Sequence, residues 1–312
     1  MNRFIKRFIS CVAAVACLCV NASAQTVITS SNYESLGLSS SNYADYLGWY
    51  AITSSADLKA FATKVNGGTN NINGVVTENI TIEVADFTPI GTSTYPFRGT
   101  FKALRNVTLS ASSATTTTSR NYQGLFVYNS GTIQNVTFRL SNVTLKGSSY
   151  TGGIAGYNAG SIDKCVVSVI TAGGIEGTSN VGGIAGYNAG TIGSETVCTN
   201  NASVTASSFV GGICGRNTST GSVYGKNTGS ITASSYYSGG VVGYNAGTIN
   251  NSSSNTGTIT STSYSVGGIC GYNISGGIIG GSNTGAVKGT YNVGGVCGRN
   301  DGQIVSGTSG ND

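Results

Sequence analysis

Downstream of Gly124 the apolar residues fall singly into a long-period pattern that neither a helix nor a simple strand alternation explains. Gly152–Ile162 reads GGIAGYNAGSI and returns as GGIAGYNAGTI at Gly182–Ile192. Variants follow from Gly211, Gly239, Gly267 and Gly294, 27 to 30 residues apart, and GLFVYNSGTI from Gly124 is an earlier, degenerate copy. Three aliphatic columns can be traced through the copies. The first is Leu125, Ile154, Ile184, Ile213, Val241, Ile269 and Val296. The second is Ile133, Ile162, Ile192, Val223, Ile249, Ile278 and Ile304, and the third is Ile170, Val204, Ile231, Ile259 and Val287. Each is flanked by Gly, Ser, Thr or Asn. One period therefore predicts about three short strands joined by tight turns, one coil of a β-solenoid. Few aliphatics per coil cannot offset the backbone entropy of ordering it alone, so stability must come from stacking.

The chain upstream reads differently. Ser54 with Asp57 three residues on has capping-box spacing, and Leu58, Phe61, Ala62 and Val65 lie on one helical face, ended by Asn66-Gly67-Gly68. Such a helix would cover the apolar end of the first coil. Ile80 with Ile82, Val107 with Leu109, and Val136, Phe138 and Leu140 alternate as strands do. Ser110–Ser119 is a hydroxyl-rich, low-complexity turn or loop. Residues 1–24 have a basic start, an apolar run and Ala22-Ser23-Ala24 before Gln25, the pattern of a cleavable signal peptide. The expected organisation is a leader at 1–24, a polar segment at 25–50, a capping helix with irregular first coils at 51–122, and repeats at 123–312. The fold class is all-β, a β-solenoid drawn as a right-handed parallel β-helix with one short N-terminal helix. The array stops before completing a last coil, so an open C-terminal coil could support self-association.

Composition narrows the possibilities. Forty-eight glycines without a three-residue period exclude collagen, and regularly placed Ile, Val and Tyr argue against disorder. The net charge of +5 includes Arg3, Lys6 and Arg7 of the leader; the other thirteen basic residues against eleven acidic ones leave +2. No basic cluster suits nucleic acid. Asn recurs at 129, 158, 188, 217, 245, 273 and 300, where a column of amides could hydrogen-bond from coil to coil. The preceding residues are Tyr128, Tyr157, Tyr187, Arg216, Tyr244, Tyr272 and Arg299. With Asn inward, alternation puts these outward, as a cover for the sheet or as a contact surface for sugar rings or a protein.

Five cysteines follow the leader. Cys270 with Cys297, and Cys165 with Cys198, are candidate inter-coil disulfides, with Cys214 left free; alternatively all are small fillers, since Ala155, Ala185 and Val242 take the place of Cys214. There is no histidine, which excludes a Ser-His-Asp triad or a His-based zinc site. Asp163, Glu176, Glu195 and Asp301 occupy different places in different coils, so no pair of sugar-cleaving carboxylates is apparent. No cofactor is implied.

The pattern Gly-Gly-aliphatic-x-Gly-x-Asn-x-Gly-x-Ile at 152–162, 182–192, 239–249 and 294–304 resembles the GLUG motif, a glycine-rich repeat of bacterial surface and secreted proteins that include adhesins and some immunoglobulin A peptidases. Asn-Thr-Gly at 227–229, 255–257 and 283–285 is similar to that family's second half-repeat, and WYAITSSADLKAFATKVNGG and FTPIGTSTYPFRGTF resemble its lead-in. KALRN from Lys102 departs from it. The resemblance implies a β-solenoid at a bacterial surface without the family's separate zinc peptidase domain. The expected function is an exported, non-catalytic, adhesin-like solenoid that binds an extracellular glycan or protein. A polysaccharide-degrading β-helix enzyme and a self-assembling stalk or filament module are the alternatives.

Overall fold

In the computed structural model, residues 25–83, 87–112, 121–262, 264–305 and 308–309 are described. The expected leader and most of Ser110–Ser119 lie outside them. The chain is a β-solenoid in which every strand pairing between coils is parallel. From Phe126 onward the coils contribute to four sheets rather than the three expected, in the chain order I to IV, whereas the first coils supply strands to sheets II and III. Sheet I stacks Phe126–Asn129, Ala155–Asn158, Ala185–Asn188, Cys214–Asn217, Val242–Asn245, Cys270–Asn273 and Cys297–Asn300. Sheet II runs from Tyr50–Ile52 to Gln303–Ile304, sheet III from Ile80–Glu83 to Thr308–Ser309, and sheet IV from Val143–Lys146 and Ser149–Gly152 to Val293–Gly294.

The first aliphatic column lines the interior, fully buried from Leu125 to Ile269. Two positions in the other columns differ from expectation. Ile279, not Ile278, stacks on Ile249, because the turn after Asn273 is two residues longer than in the preceding coil and Gly276 takes a left-handed φ of 86° within it. Ile170 is 54% exposed. Strand Val166–Val169 sets Val167 on Phe138 and Val169 on Leu140, so alternation turns Ile170 outward. The column is continued instead by Leu145 and Ile175, which lead in register to Val204, Ile231, Ile259 and Val287.

Close stacking explains the paired glycines. A Cβ on Gly182 would collide with the carbonyl oxygen of Ala185 in its own coil and lie 2.7 Å from that of Ile213 in the next. Only glycine lets the corner between sheets IV and I fold so tightly.

Helix α1 (Ser55–Asn66) closes the N-terminal end. The Ser54 hydroxyl accepts the Asp57 N–H at 3.2 Å, and the Asp57 carboxylate accepts from the Thr53 and Ser54 hydroxyls at 2.8 Å each. Leu58, Phe61, Ala62 and Val65 are buried, and Phe61 packs against Phe97 and Phe101 with ring centroids 6.0 and 5.7 Å apart. The preceding segment is more ordered than its polarity suggests. Short 3-10 turns at Glu34–Leu36 and Tyr43–Tyr46 place Leu38 and Tyr46 with Ile28 on the outward side chains Ala51 and Val75, a small second core outside sheet II.

A candidate binding face of aromatic rings

Sheet I alternates inward Asn with outward Tyr or Arg, so one short strand builds both a buried ladder and a surface stripe. Inside, the amide nitrogen of each Asn donates to the amide oxygen of the next, from Asn129 through Asn158, Asn188, Asn217, Asn245 and Asn273 to Asn300, at 2.7 to 2.9 Å. The same nitrogens donate to a glycine carbonyl at the following turn, as Asn188 does to Gly190 at 3.0 Å. A second ladder in sheet III, Asn200, Asn227, Asn255 and Asn283, has bonds of 2.8 to 2.9 Å. It replaces the apolar column of Leu109, Phe138 and Val167 beneath it. Its visible signal was the recurring Asn-Thr-Gly, read in the sequence only as part of the resemblance.

Outside, the N-terminal half of the stripe is a stack. Tyr128, Tyr157 and Tyr187 lie 4.2 and 4.8 Å apart with interplanar angles of 17° and 14°. Each ring covers its neighbour's face, leaving ring edges outward. That geometry offers little of the open ring face on which a sugar would stack. Burial in the stack pushes the Tyr157 hydroxyl up to about 12, helped by its hydrogen bond with Tyr128. Beyond Arg216 the rings turn, and Tyr244 and Tyr272 meet edge to face at 83°.

A second aromatic column, not anticipated from sequence, stands beside the stripe at the corner entering sheet I. It comprises Tyr122, Tyr150, Phe209 and Tyr237, with Asn180 between Tyr150 and Phe209. Tyr150, Phe209 and Tyr237 have φ of 53°, 52° and 49°. The left-handed region is unfavourable for bulky residues by about 1–2 kcal/mol, so rings placed there are held by their surroundings. Tyr150 packs on Tyr187, Phe209 on Tyr244 and Tyr237 on Tyr272, at 5.6, 5.8 and 4.9 Å. A third set, Tyr236, Tyr264 and Tyr291, is stacked and exposed on sheet IV. The signal missed in the sequence was an aromatic residue two positions before the glycine pairs at 152, 211 and 239, and another three positions before those at 239, 267 and 294.

Two arginines interrupt the stripe. Arg216 lies between Tyr187 and Tyr244, 5.8 and 4.9 Å from their ring centroids. Arg299 lies 4.6 Å from Tyr272 and pairs with Asp301 at 2.9 Å, and the Tyr272 hydroxyl donates to the same carboxylate at 2.6 Å. These donors hold Asp301 below the ordinary carboxylate range, Tyr272 foremost.

The cysteines differ from the staples expected. All five described ones are thiols. Cys270 stands in register with Cys297, and the pairing of Val166 with Thr199 brings Cys165 level with Cys198. Their sulfurs satisfy backbone carbonyls instead: Cys165 donates to Asp163, Cys198 to Ile162 and Cys297 to Arg299, at 3.3, 3.4 and 3.0 Å. Burial pushes the Cys214 and Cys270 thiols up, whereas the hydrogen bond from Cys270 lowers Cys297.

On another side, Asp163 and Glu195, unrelated in the repeat, meet in one concavity of about 410 Å³ with Tyr46, Lys102, Arg105 and Lys164. Asp163 is 8% exposed and accepts the backbone N–H groups of Ser194 and Thr196 at 2.8 and 3.3 Å, which fixes that turn. Both bonds fall on one carboxylate oxygen, Oδ1. Among the described residues no group of three or more His, Cys, Asp or Glu is placed to hold a metal ion.

No protein-family model matches this chain, and no match is found among curated proteins. The chain is similar to the crystal structure of a "putative immunoglobulin A1 protease" from Bacteroides ovatus, with a TM-score of 0.58 and 19% identity over 83% of this chain and 84% of that one. At that identity the likeness concerns the fold, and the fold they share is the β-solenoid.

Proposed function

We propose that this chain is an exported, non-catalytic solenoid of the GLUG-repeat type whose aromatic face binds an extracellular glycan or protein. The observation that carries the reading is the face itself. Two adjoining columns of rings run along successive coils, and several are kept at a backbone conformation that disfavours them. Packing of the interior does not need those rings, because the core is filled by the aliphatic columns and the Asn ladders. Binding would justify their cost. The neighbour's name brings proteolysis into view, but this chain has no histidine, and of the two carboxylates in its concavity Asp163 accepts backbone N–H groups of a turn.

The test is an array of glycans and extracellular proteins probed with residues 25–312. Binding that falls at least tenfold when Tyr157 and Tyr272 are changed to Ser, with an unchanged far-ultraviolet spectrum, supports the reading. Release of new reducing ends or peptide fragments from any arrayed ligand would replace it with an enzymatic one. Export is checked by the N-terminus of protein recovered outside the cell, expected at Gln25.

A further inference from the structure

The coils act as an internal comparison, because each stripe residue has a fixed neighbour in the corner column. Tyr187 faces Tyr150, Tyr244 faces Phe209 and Tyr272 faces Tyr237, whereas Arg216 faces Asn180 and Arg299 faces Ser265. Wherever the stripe carries arginine, the corner ring is replaced by a small polar residue. Each replacement takes a ring away from beside a guanidinium, leaving a notch in the column of corner rings.

The two notches differ in one respect. At Arg299 the chain supplies its own carboxylate: Asp301, two residues on, receives the guanidinium and the hydroxyl of Tyr272. At Arg216 the residue two on is Thr218, whose hydroxyl pairs with Thr220 at 3.2 Å. Among the described residues Arg216 has no ion pair, its buried Nε has no hydrogen-bond partner, and the Oδ1 of Asn180, a residue only 8% exposed, has none either. The Nε is a donor without an acceptor and the Oδ1 an acceptor without a donor, both costly to leave buried; a ligand that carries a carboxylate and hydroxyl groups meets both. Asn180 lies low between Tyr150 and Phe209, which belong to coils two apart, about 9.6 Å at the ordinary strand spacing. One saturated ring inserted there would sit about 4.8 Å from each, within the usual range of ring packing.

We infer that the Arg216 notch is a subsite for the carboxylate of a uronic acid residue in an acidic glycan, with Arg216 and the Tyr187 hydroxyl taking the roles that Arg299 and Tyr272 take toward Asp301. The sugar ring fills the gap between Tyr150 and Phe209, which favours a uronate over the slim acidic side chain of a peptide. This inference rests on the aromatic face being the ligand-binding face.

The experiment compares binding of oligogalacturonate with its methyl ester, which masks the carboxylate and keeps the ring. Wild type is expected to prefer the acid form by about tenfold or more, the value of one charge-assisted pair. Arg216→Gln removes the preference, and Thr218→Asp, which installs the carboxylate found beside Arg299, removes it without deleting the arginine. Lys226→Gln, the same loss of charge on sheet III, retains it. Equal binding of acid and ester by wild type, or a preference that survives Arg216→Gln, overturns the inference. Arg216-dependent binding of polyglutamate without binding of oligogalacturonate overturns the ligand class. If wild type binds both forms equally and Tyr157→Ser abolishes both, the face reading stands and the subsite falls. If an Arg216-dependent preference persists in full with Tyr157→Ser, the subsite stands and the bound face is confined to the rings around Arg216.

Discussion

Replacing Asn217 with Ala tests whether the inward ladder is a major source of cohesion between coils. Asn217 accepts from Asn188 at 2.8 Å and donates to Asn245 at 2.9 Å and to the Gly221 carbonyl at 3.1 Å, all in the dry interior. Alanine removes both ladder bonds. The Asn188 amide keeps its donations to Gly190 and Ser222, and the Gly221 carbonyl keeps the N–H of Thr248. The Asn245 amide oxygen loses its ladder donor while remaining buried. Two net bonds of about 1 kcal/mol each, plus about 1–3 kcal/mol for an orphaned buried acceptor, predict a loss of about 3–5 kcal/mol. Asn300 supplies the contrast. It is exposed, accepts one ladder bond from Asn273, and leaves that donor with Gly277 and Gln303 when removed, so Asn300→Ala should cost about 1 kcal/mol or less. Solenoids open locally, so urea unfolding by circular dichroism should be paired with hydrogen exchange of the amides in coils 182–245. A loss below about 1 kcal/mol for Asn217→Ala, or equal losses for the two variants, would refute the reasoning.

Two further outcomes concern titration and reactivity. Burial in the stack raises the Tyr157 hydroxyl to about 12 from an unfolded value near 10, so the folded state favours its protonated form. The stabilisation is complete below pH 10 and is lost as pH rises towards 12; absorbance titration near 295 nm should show a late-ionising tyrosine that Tyr157→Ser removes, and a normal titration throughout would contradict the stack. Iodoacetamide on the folded chain should label Cys297 first, because it is partly exposed and lowered by Cys270, while buried Cys165, Cys198, Cys214 and Cys270 stay protected. Uniform labelling of all five would show that the coils open more readily than their packing implies.

What the residues determined alone was the repeating logic. A fixed period with one aliphatic between glycines and hydroxyls can bury itself only by stacking, and Leu58, Phe61, Ala62 and Val65 could serve only a helix that packs on one side. Asn158 beside Tyr157 already put the two on opposite faces, since alternation along a strand is local, and the structure turned the Asn inward. Turn length was less legible: one longer turn put Ile279 rather than Ile278 in the core, and a strand already supplying Val167 and Val169 turned Ile170 to solvent. What only the tertiary structure decided was which residues from separate parts of the period become neighbours. Corner rings such as Tyr150 and Phe209 precede the motif in the chain and reach the stripe only when coils fold over one another. The pairing of Arg216 with Asn180, 36 positions earlier, depends on the offset between sheet IV of one coil and sheet I of the next. Local pattern sets the face a side chain takes, whereas coil-to-coil offset sets what it meets there, and the candidate site is made of such meetings.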